Sequence, residues 1–496
     1  MVRHVSCVAS ATAVDGYSSG GLTIDKISDD VLLCIFDAYR RESEGRDSTW
    51  PWHVLVHICR KWRNLVFGRP GHLNLRLVCK SKTDMKRALD IWPALPIVID
   101  AGFDDDTDED DIFGALDDRD RIVGISLWGL TQAEAKKCLR VMQQPFPVLT
   151  SLDLEVEYPM VAHVNTDPLL GGSIPRLKML SLTGCHFSTL PTLLSSASEL
   201  VDLHIGDFLL TGRGQISPEE ISTCMSSLTR LQSLSINFRW RTELTYPTSQ
   251  SPPPSTLAST ILPALINLSL GGPHGYLEDL LTRIDTPLLG HGSLRFYDVP
   301  NVYGPQIPQL IHRTAMFNFP SGVGVFIDKV VSFELLSSID SEKKFYMSFP
   351  GSDTQTDLYT DVKLLEQLCT RCRTVLSHIE HLRLGGDVEY WYTGPLSAPW
   401  LKFLQPFTAV QTLHLCGSVM MPNVSRTLGE LAGERAAEML PVLHTLVLSW
   451  EREEVSEAAR LVEPFIVARK HSEHPVALKR FSGEGDWSDW YSSDSE

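Results

Sequence analysis

The residues that could carry chemistry are few, and their neighbours support them poorly. Cys369 and Cys372 have the spacing of a metal or redox pair. A structural zinc site needs four donors, and no second pair stands at ribbon spacing, so the two read as one face of an amphipathic helix. His378 with His381, and His471 with His474, sit three apart; a metal there would need carboxylate or thiolate partners that the sequence does not indicate. The acidic run Asp104, Asp105, Asp106, Asp108, Glu109, Asp110 and Asp111 starts like a calcium loop. It has Glu109 where that loop needs glycine and Ala115 where it needs a closing carboxylate, so residues 104–120 read as a solvated acidic loop. There is no G-x-S-x-G elbow, G-x-x-x-x-G-K-[ST] phosphate loop or H-E-x-x-H pair. Gly322 with Gly324, and Gly212 with Gly214, lack the third glycine of a dinucleotide turn. The expectation is a protein that is not an enzyme, with no catalytic residue, no metal and no cofactor.

Charge narrows the partners. Across 496 residues, 44 Lys plus Arg face 61 Asp plus Glu, a net charge of −17. Basic residues gather only in small groups such as Arg60, Lys61 and Arg63, so neither nucleic acid nor an anionic membrane surface is an expected partner. The longest apolar runs, such as Val31 to Phe36, fall far short of the ~18 residues of a membrane span. Val2 to Val14 is interrupted by His4, Ser6, Ser10 and Thr12 rather than forming a leader's apolar core. The ten cysteines follow no disulfide framework. Together these predict an intracellular, cytoplasmic and/or nuclear protein.

Residues 1–23 have no apolar period and read as a disordered arm. A helix start comes next: Ser28 can cap free backbone N–H groups, Asp29 and Asp30 suit the positive end, and Ile27 can staple onto Leu32. The set Val31, Leu32, Leu33, Ile35, Phe36 and Tyr39 is wider than one buried face, so a second apolar face is left for a partner. After a polar linker from Arg40 to Thr49, Val54, Ile58, Trp62 and Leu65 recur at helical spacing. A small all-α domain over 24–70 is the result.

Beyond residue 72 one phrase recurs: an apolar residue, two others, an apolar residue, one other, an apolar residue. It reads Ile122, Ile125, Leu127, then begins again at Leu149, Leu177, Leu200, Leu231, Leu265, Ile379, Val410 and Leu443. Intervals of 23 to 34 residues between neighbouring copies match a leucine-rich repeat with long convex segments. The 114-residue gap from 265 to 379 has room for about three more units, of which Leu294, Tyr297 and Val299 look like one. Thr131 to Glu134 and Ser217 to Glu220 are capping boxes that start helices between phrases. The fold class is therefore α/β: small helical domain first, then an irregular strand–helix solenoid over 71–482. It carries a Pro-rich loop at 246–256 and ends in an acidic tail at 483–496.

In each phrase the last two apolar residues point inward and the residue between them points out, so stacked strands build one exposed face. That face carries Asp153, Ser181, His204, Ser235, Ser269, Arg383, His414 and Val447. Asp153, Ser181, His204, Arg383 and His414 are the candidates for holding a protein substrate. An enzymatic site assembled from Asp153, Ser181 and His204 is the competing reading, although no spacing supports it.

The N-terminal helices resemble an F-box. The family's opening phrase lies in register on Ile27, Ser28, Asp29, Asp30, Val31, Leu32, Leu33, Cys34, Ile35 and Phe36, with Ile27 and Ser28 where Leu and Pro are usual. Its later phrase matches Ile58, Cys59, Arg60, Lys61, Trp62 and Leu65. The repeat array C-terminal to these helices is similar to the irregular leucine-rich arrays of fungal F-box proteins. The resemblance implies a substrate-recognition subunit of an SCF-type ubiquitin ligase, binding the adaptor protein and through it a cullin. It makes Ile27, Leu32, Leu33, Ile35 and Phe36 adaptor contacts, with Trp62 packing the helices or joining that interface. The alternative is a non-catalytic leucine-rich scaffold outside any ligase, whose helices only cap the solenoid.

Overall fold

A computed structural model describes residues 26–43, 53–69, 73, 75–80, 87, 89–90, 95–103, 109–157, 169–185, 189–208, 217–238, 260–298, 306–313, 320–328, 330–336, 343–350, 358–386, 397–418, 420–431 and 434–482. The N-terminal arm, most of the polar linker, Asp104 to Asp108, Gly212, Gly214, the Pro-rich loop, Val299 and the acidic tail lie outside them.

Three helices come first: Asp29–Ser43, His53–Ile58 and Arg60–Gly68. Ser28 caps the first, its Oγ accepting the Val31 N–H at 3.4 Å. The expected single helix through Val54, Ile58, Trp62 and Leu65 is two helices. Cys59 is extended and N-caps the second, its Sγ accepting from Trp62 N, and that break shifts the helical phase. Leu55, Val56, Leu65 and Val66 are buried, while Val54 and Ile58 are left outside.

Among the described residues eighteen strands come after them: β1 (Leu77–Lys80), β2 (Ile97–Gly102), β3 (Ile122–Leu130), β4 (Ser151–Val156), β5 (Met179–Thr183), β6 (Asp202–Phe208), β7 (Ser233–Phe238), β8 (Thr260–Ile261), β9 (Asn267–Gly272), β10 (Ile284–Asp285), β11 (His291–Phe296), β12 (Gly322–Ile327), β13 (Val330–Leu336), β14 (Lys343–Pro350), β15 (His381–Gly385), β16 (Thr412–Cys416), β17 (Thr445–Trp450) and β18 (Ala477–Ser482). All but the short β8–β10 pair form one sheet of 16 strands, ordered β1-β2-β3-β4-β5-β6-β7-β9-β11-β14-β13-β12-β15-β16-β17-β18. Outside the β12–β14 segment every neighbour pair is parallel. Helices such as Gln132–Val141, Pro218–Met225 and His274–Arg283 return the chain from one strand to the next. This is a mixed α/β solenoid.

The repeated phrase explains the regularity. Its first apolar residue closes a tight turn before the strand: Leu149, Leu177, Leu200, Leu231 and Leu443 each donate their N–H to the carbonyl three residues back. The last two are inward strand positions, so Leu152 with Leu154 and Leu180 with Leu182 are fully buried. Both expected capping boxes are present, Thr131 with Glu134 and Ser217 with Glu220. The acidic stretch differs from the loop expected over 104–120. Glu109–Ala115 is a helix with three acids in its first turn, where the positive end stabilises them, and it buries Ile112 and Ala115.

The 114-residue gap is the larger correction. Four sheet positions are filled: β11, which carries Leu294 of the one legible copy, and three strands that are not strand–helix units. After β11 and the helix Gln306–Arg313 the chain enters the sheet three places away as β12. It then returns through antiparallel β13 and β14, which pair β12 and β13 respectively, until β14 lies parallel beside β11. The helix Leu358–Arg371 then carries the chain to β15, parallel to β12.

Candidate functional site

Two surfaces present side chains to a partner. The first is the helical trio. Leu32, Leu33 and Phe36 face inward and are sealed, and Trp62 lies on Phe36 with ring centroids 4.7 Å apart. Lys61 ties the trio together, its Nζ donating to the Ile27 carbonyl at 3.0 Å and standing 3.7 Å from Asp29, while Arg63 Nε donates across the Cys59 break to the Val56 carbonyl at 2.9 Å. Val31, Ile35 and Tyr39 on the opposite stripe of the first helix, and Val54 and Ile58 on the second, remain 37 to 52% exposed. Leu32, Leu33 and Phe36 therefore leave the set of possible contacts and join the core. Ile27 is half-buried against that core. Of the six residues implied as adaptor contacts, Ile35 has the open side chain. Val31, Tyr39, Val54 and Ile58 accompany it; the first two were legible as surplus width of the apolar set, the last two only once the break at Cys59 is known.

The second surface is the outward face of the sheet. Backbone register aligns one residue of every strand of the large sheet in a row: Lys80, Asp100, Ser126, Asp153, Ser181, His204, Ser235, Ser269, Ser293, Tyr346, Glu334, Gly324, Arg383, His414, Val447 and Lys479. Asp153, Ser181 and His204 are thus brought onto adjacent strands, as are Arg383 and His414. The first three stand in the wrong order for nucleophilic catalysis. Ser181 lies between the other two, so Asp153 and His204 are two strand spacings apart, about 9.5 Å, and the carboxylate cannot orient the imidazole.

At the other end the face closes. Val447, expected outward and open, is 1% exposed, and Cys416 and Ser449 beside it are buried. The Arg383 guanidinium lies 4.9 Å from the centre of the Phe326 ring. Gly385 makes room for this packing, since a Cβ there would stand 2.7 Å from both Cys416 Sγ and the Phe326 ring. His414 Nε2 and Ser449 Oγ are 2.7 Å apart. Burial, with a smaller contribution from Arg383, pushes the His414 pKa down to about 3. Such an imidazole cannot draw a proton from Ser449 at neutral pH, so the pair is a packing hydrogen bond.

Cys369 and Cys372 are fully buried, and burial raises both thiols, Cys372 to about 12. Both lack the thiolate character that metal or redox work needs. His378 is exposed, with Nδ1 2.9 Å from the Thr374 carbonyl. Among the described residues no group of three or more His, Cys, Asp or Glu could hold a metal ion, and no helix is long and apolar enough to cross a membrane.

No family model matches the chain, and no curated protein matches it. Among solved structures it is similar to the leucine-rich repeat-containing protein LegL7 from Legionella pneumophila, with 10% identity and a TM-score of 0.26 over 82% of this chain and 88% of that one. A similarity so loose carries no argument, and the solenoid is established by its own strand order and register.

Proposed function

We propose that the chain is the substrate-recognition subunit of an SCF-type, cullin-RING ubiquitin ligase. The helices over 26–69 dock on the adaptor, and the outward face of the sheet holds a protein substrate in the cytoplasm or nucleus. The chain performs no chemistry itself. It raises the local concentration of a bound protein's lysines near a loaded conjugating enzyme. The observation that supports this reading is the division of the F-box-like helix into a sealed side, Leu32, Leu33 and Phe36, and an open apolar side, Val31, Ile35 and Tyr39; Val54 and Ile58 of the second helix are exposed as well. Covering what remains exposed of five such side chains is worth roughly 1 kcal/mol each, which only meets the low end of the ~4–15 kcal/mol association cost. The adaptor must therefore add polar contacts around the apolar patch.

Co-purification of the full chain with the adaptor tests this, comparing wild type with Ile35→Glu. A stoichiometric complex lost in Ile35→Glu while circular dichroism is unchanged is the expected result. Absence of a complex with the wild type overturns the reading. Phe36→Glu is unsuitable because it places a charge in the core and disrupts the trio.

One observation favours the alternative, a protein-binding scaffold outside any ligase. The apolar core runs as one cluster from Leu32 to Val476, so the helices would then serve to close the N-terminal end of the array.

A further inference from the structure

His53 opens the helix His53–Ile58 and His57 stands in its last turn, four residues on, which puts both imidazoles on one face. Their ring centroids are 4.4 Å apart with planes inclined at 73°, and the two Nε2 atoms approach to 2.9 Å. Both residues lie on the surface, His57 exposed and His53 partly so. We propose that His53 and His57 form a two-imidazole chelate for a divalent late transition metal, at the rim of the open apolar face.

The geometry fits such an ion closely. Nitrogens ~2.05 Å from a metal stand about 2.9 Å apart when they occupy neighbouring corners of a square, the arrangement of Ni2+ and Cu2+, and about 3.3 Å apart around tetrahedral Zn2+. The observed separation matches the first as it stands and reaches the second by a small side-chain rotation. On binding, the Nε2 proton shared by the two rings passes to Nδ1, so both Nε2 atoms become donors without net change in charge on the protein. Two imidazoles leave at least two coordination positions for water or for a partner's side chain. His53 and His57 directly precede Val54 and Ile58, so the ion sits beside the apolar patch. His381 lies on β15 while His378 precedes it, and His474 lies beyond the helix that ends at His471, so neither of these pairs shares one helix face. The proposal stands whether or not the helices bind a ligase adaptor.

The test is a titration of the full chain, carrying labelled methyl groups, with Ni2+ alone. Paramagnetic broadening concentrated on the Ile58 and Val54 methyls, with a saturable calorimetric isotherm, is expected for the wild type and for His378→Ala. Both signatures should be lost in His53→Ala and equally in His57→Ala, with His57→Gln as a second variant closer in size. The methyl spectrum of each variant reports that it is folded. The proposal is overturned by broadening that persists in either alanine variant, by broadening confined to other methyls, or by no saturable binding in the wild type.

Discussion

From β4 to β11 the outward row reads Asp153, Ser181, His204, Ser235, Ser269 and Ser293, each half-buried. From β14 to β17, in sheet order, the same row reads Tyr346, Glu334, Gly324, Arg383, His414 and Val447; Glu334 and Val447 are buried, and beside the row Ser332, Cys416 and Ser449 are buried too. The inward face is apolar in both halves, chiefly leucine, isoleucine and valine, with phenylalanines such as Phe238, Phe333 and Phe345. Only the outward face differs. Hydroxyl-sized side chains in the first half leave the strands reachable, whereas in the second half an arginine over an aromatic ring, an imidazole on a hydroxyl and a glycine recess pack against one another. A protein partner laid along the sheet meets an open surface on the first half and a finished one on the second.

This contrast breaks most sharply at Gly385. Gly385→Val drives its side chain into Phe326 and Cys416 and should cost ~3 kcal/mol in urea unfolding, while Thr183→Val, at the matching outward position of β5, should stay within about 0.5 kcal/mol. Acid should come next. The unfolded His414 imidazole takes a proton near pH 6.5, whereas the folded one resists until about pH 3. The unfolded state therefore binds more protons between these values, and the stability tied to neutral His414 is complete above pH 6.5 and lost as pH falls. Unfolding at pH 5 should show a loss of up to about 2 kcal/mol relative to pH 7.5, a loss that shrinks in His414→Gln. At neutral pH, His414→Ala leaves the Ser449 hydroxyl buried without its partner and should cost about 1–2 kcal/mol, against less than about 0.5 for His204→Ala. The smallest effect is expected of Ser269→Ala, within ±0.5 kcal/mol by the same measurement. Equal costs at His204 and His414 would dissolve the distinction between the two halves.

Legibility from residues alone divides along the same line. The nine phrases were legible because two inward leucines flanking one outward residue encode both strand and facing, and the capping boxes because they satisfy backbone groups locally. β12 to β14 were illegible for a physical reason. Val323, Val325, Val331, Phe333 and Phe345 are buried on one side, while Ser332, Glu334 and Ser348 are buried on the other, so hydrophobicity does not alternate with exposure. The helical break at Cys59 was hidden because the 54, 58, 62, 65 spacing suits one helix, and only the backbone reveals the change of phase. Of the candidate surface, Asp153, Ser181 and His204 were placed in a common row by the phrase itself. The closure around Arg383 and His414 depends on Phe326 and Ser449, which come from other segments of the chain.

The reversed order of β12, β13 and β14 also sets a timetable. From β2 to β11 each strand of the large sheet leaves the ribosome next to a neighbour already seated, so the array can lengthen as it is made. β12 emerges first of its trio, yet its seat is the farthest from β11, and the strand that touches β11 emerges last. Growth must pause until the meander closes on itself and docks as a block. The nascent protein therefore carries an unfinished sheet edge at β11 for the time it takes to translate residues 297 to 350, the interval in which a chaperone has the most to cover.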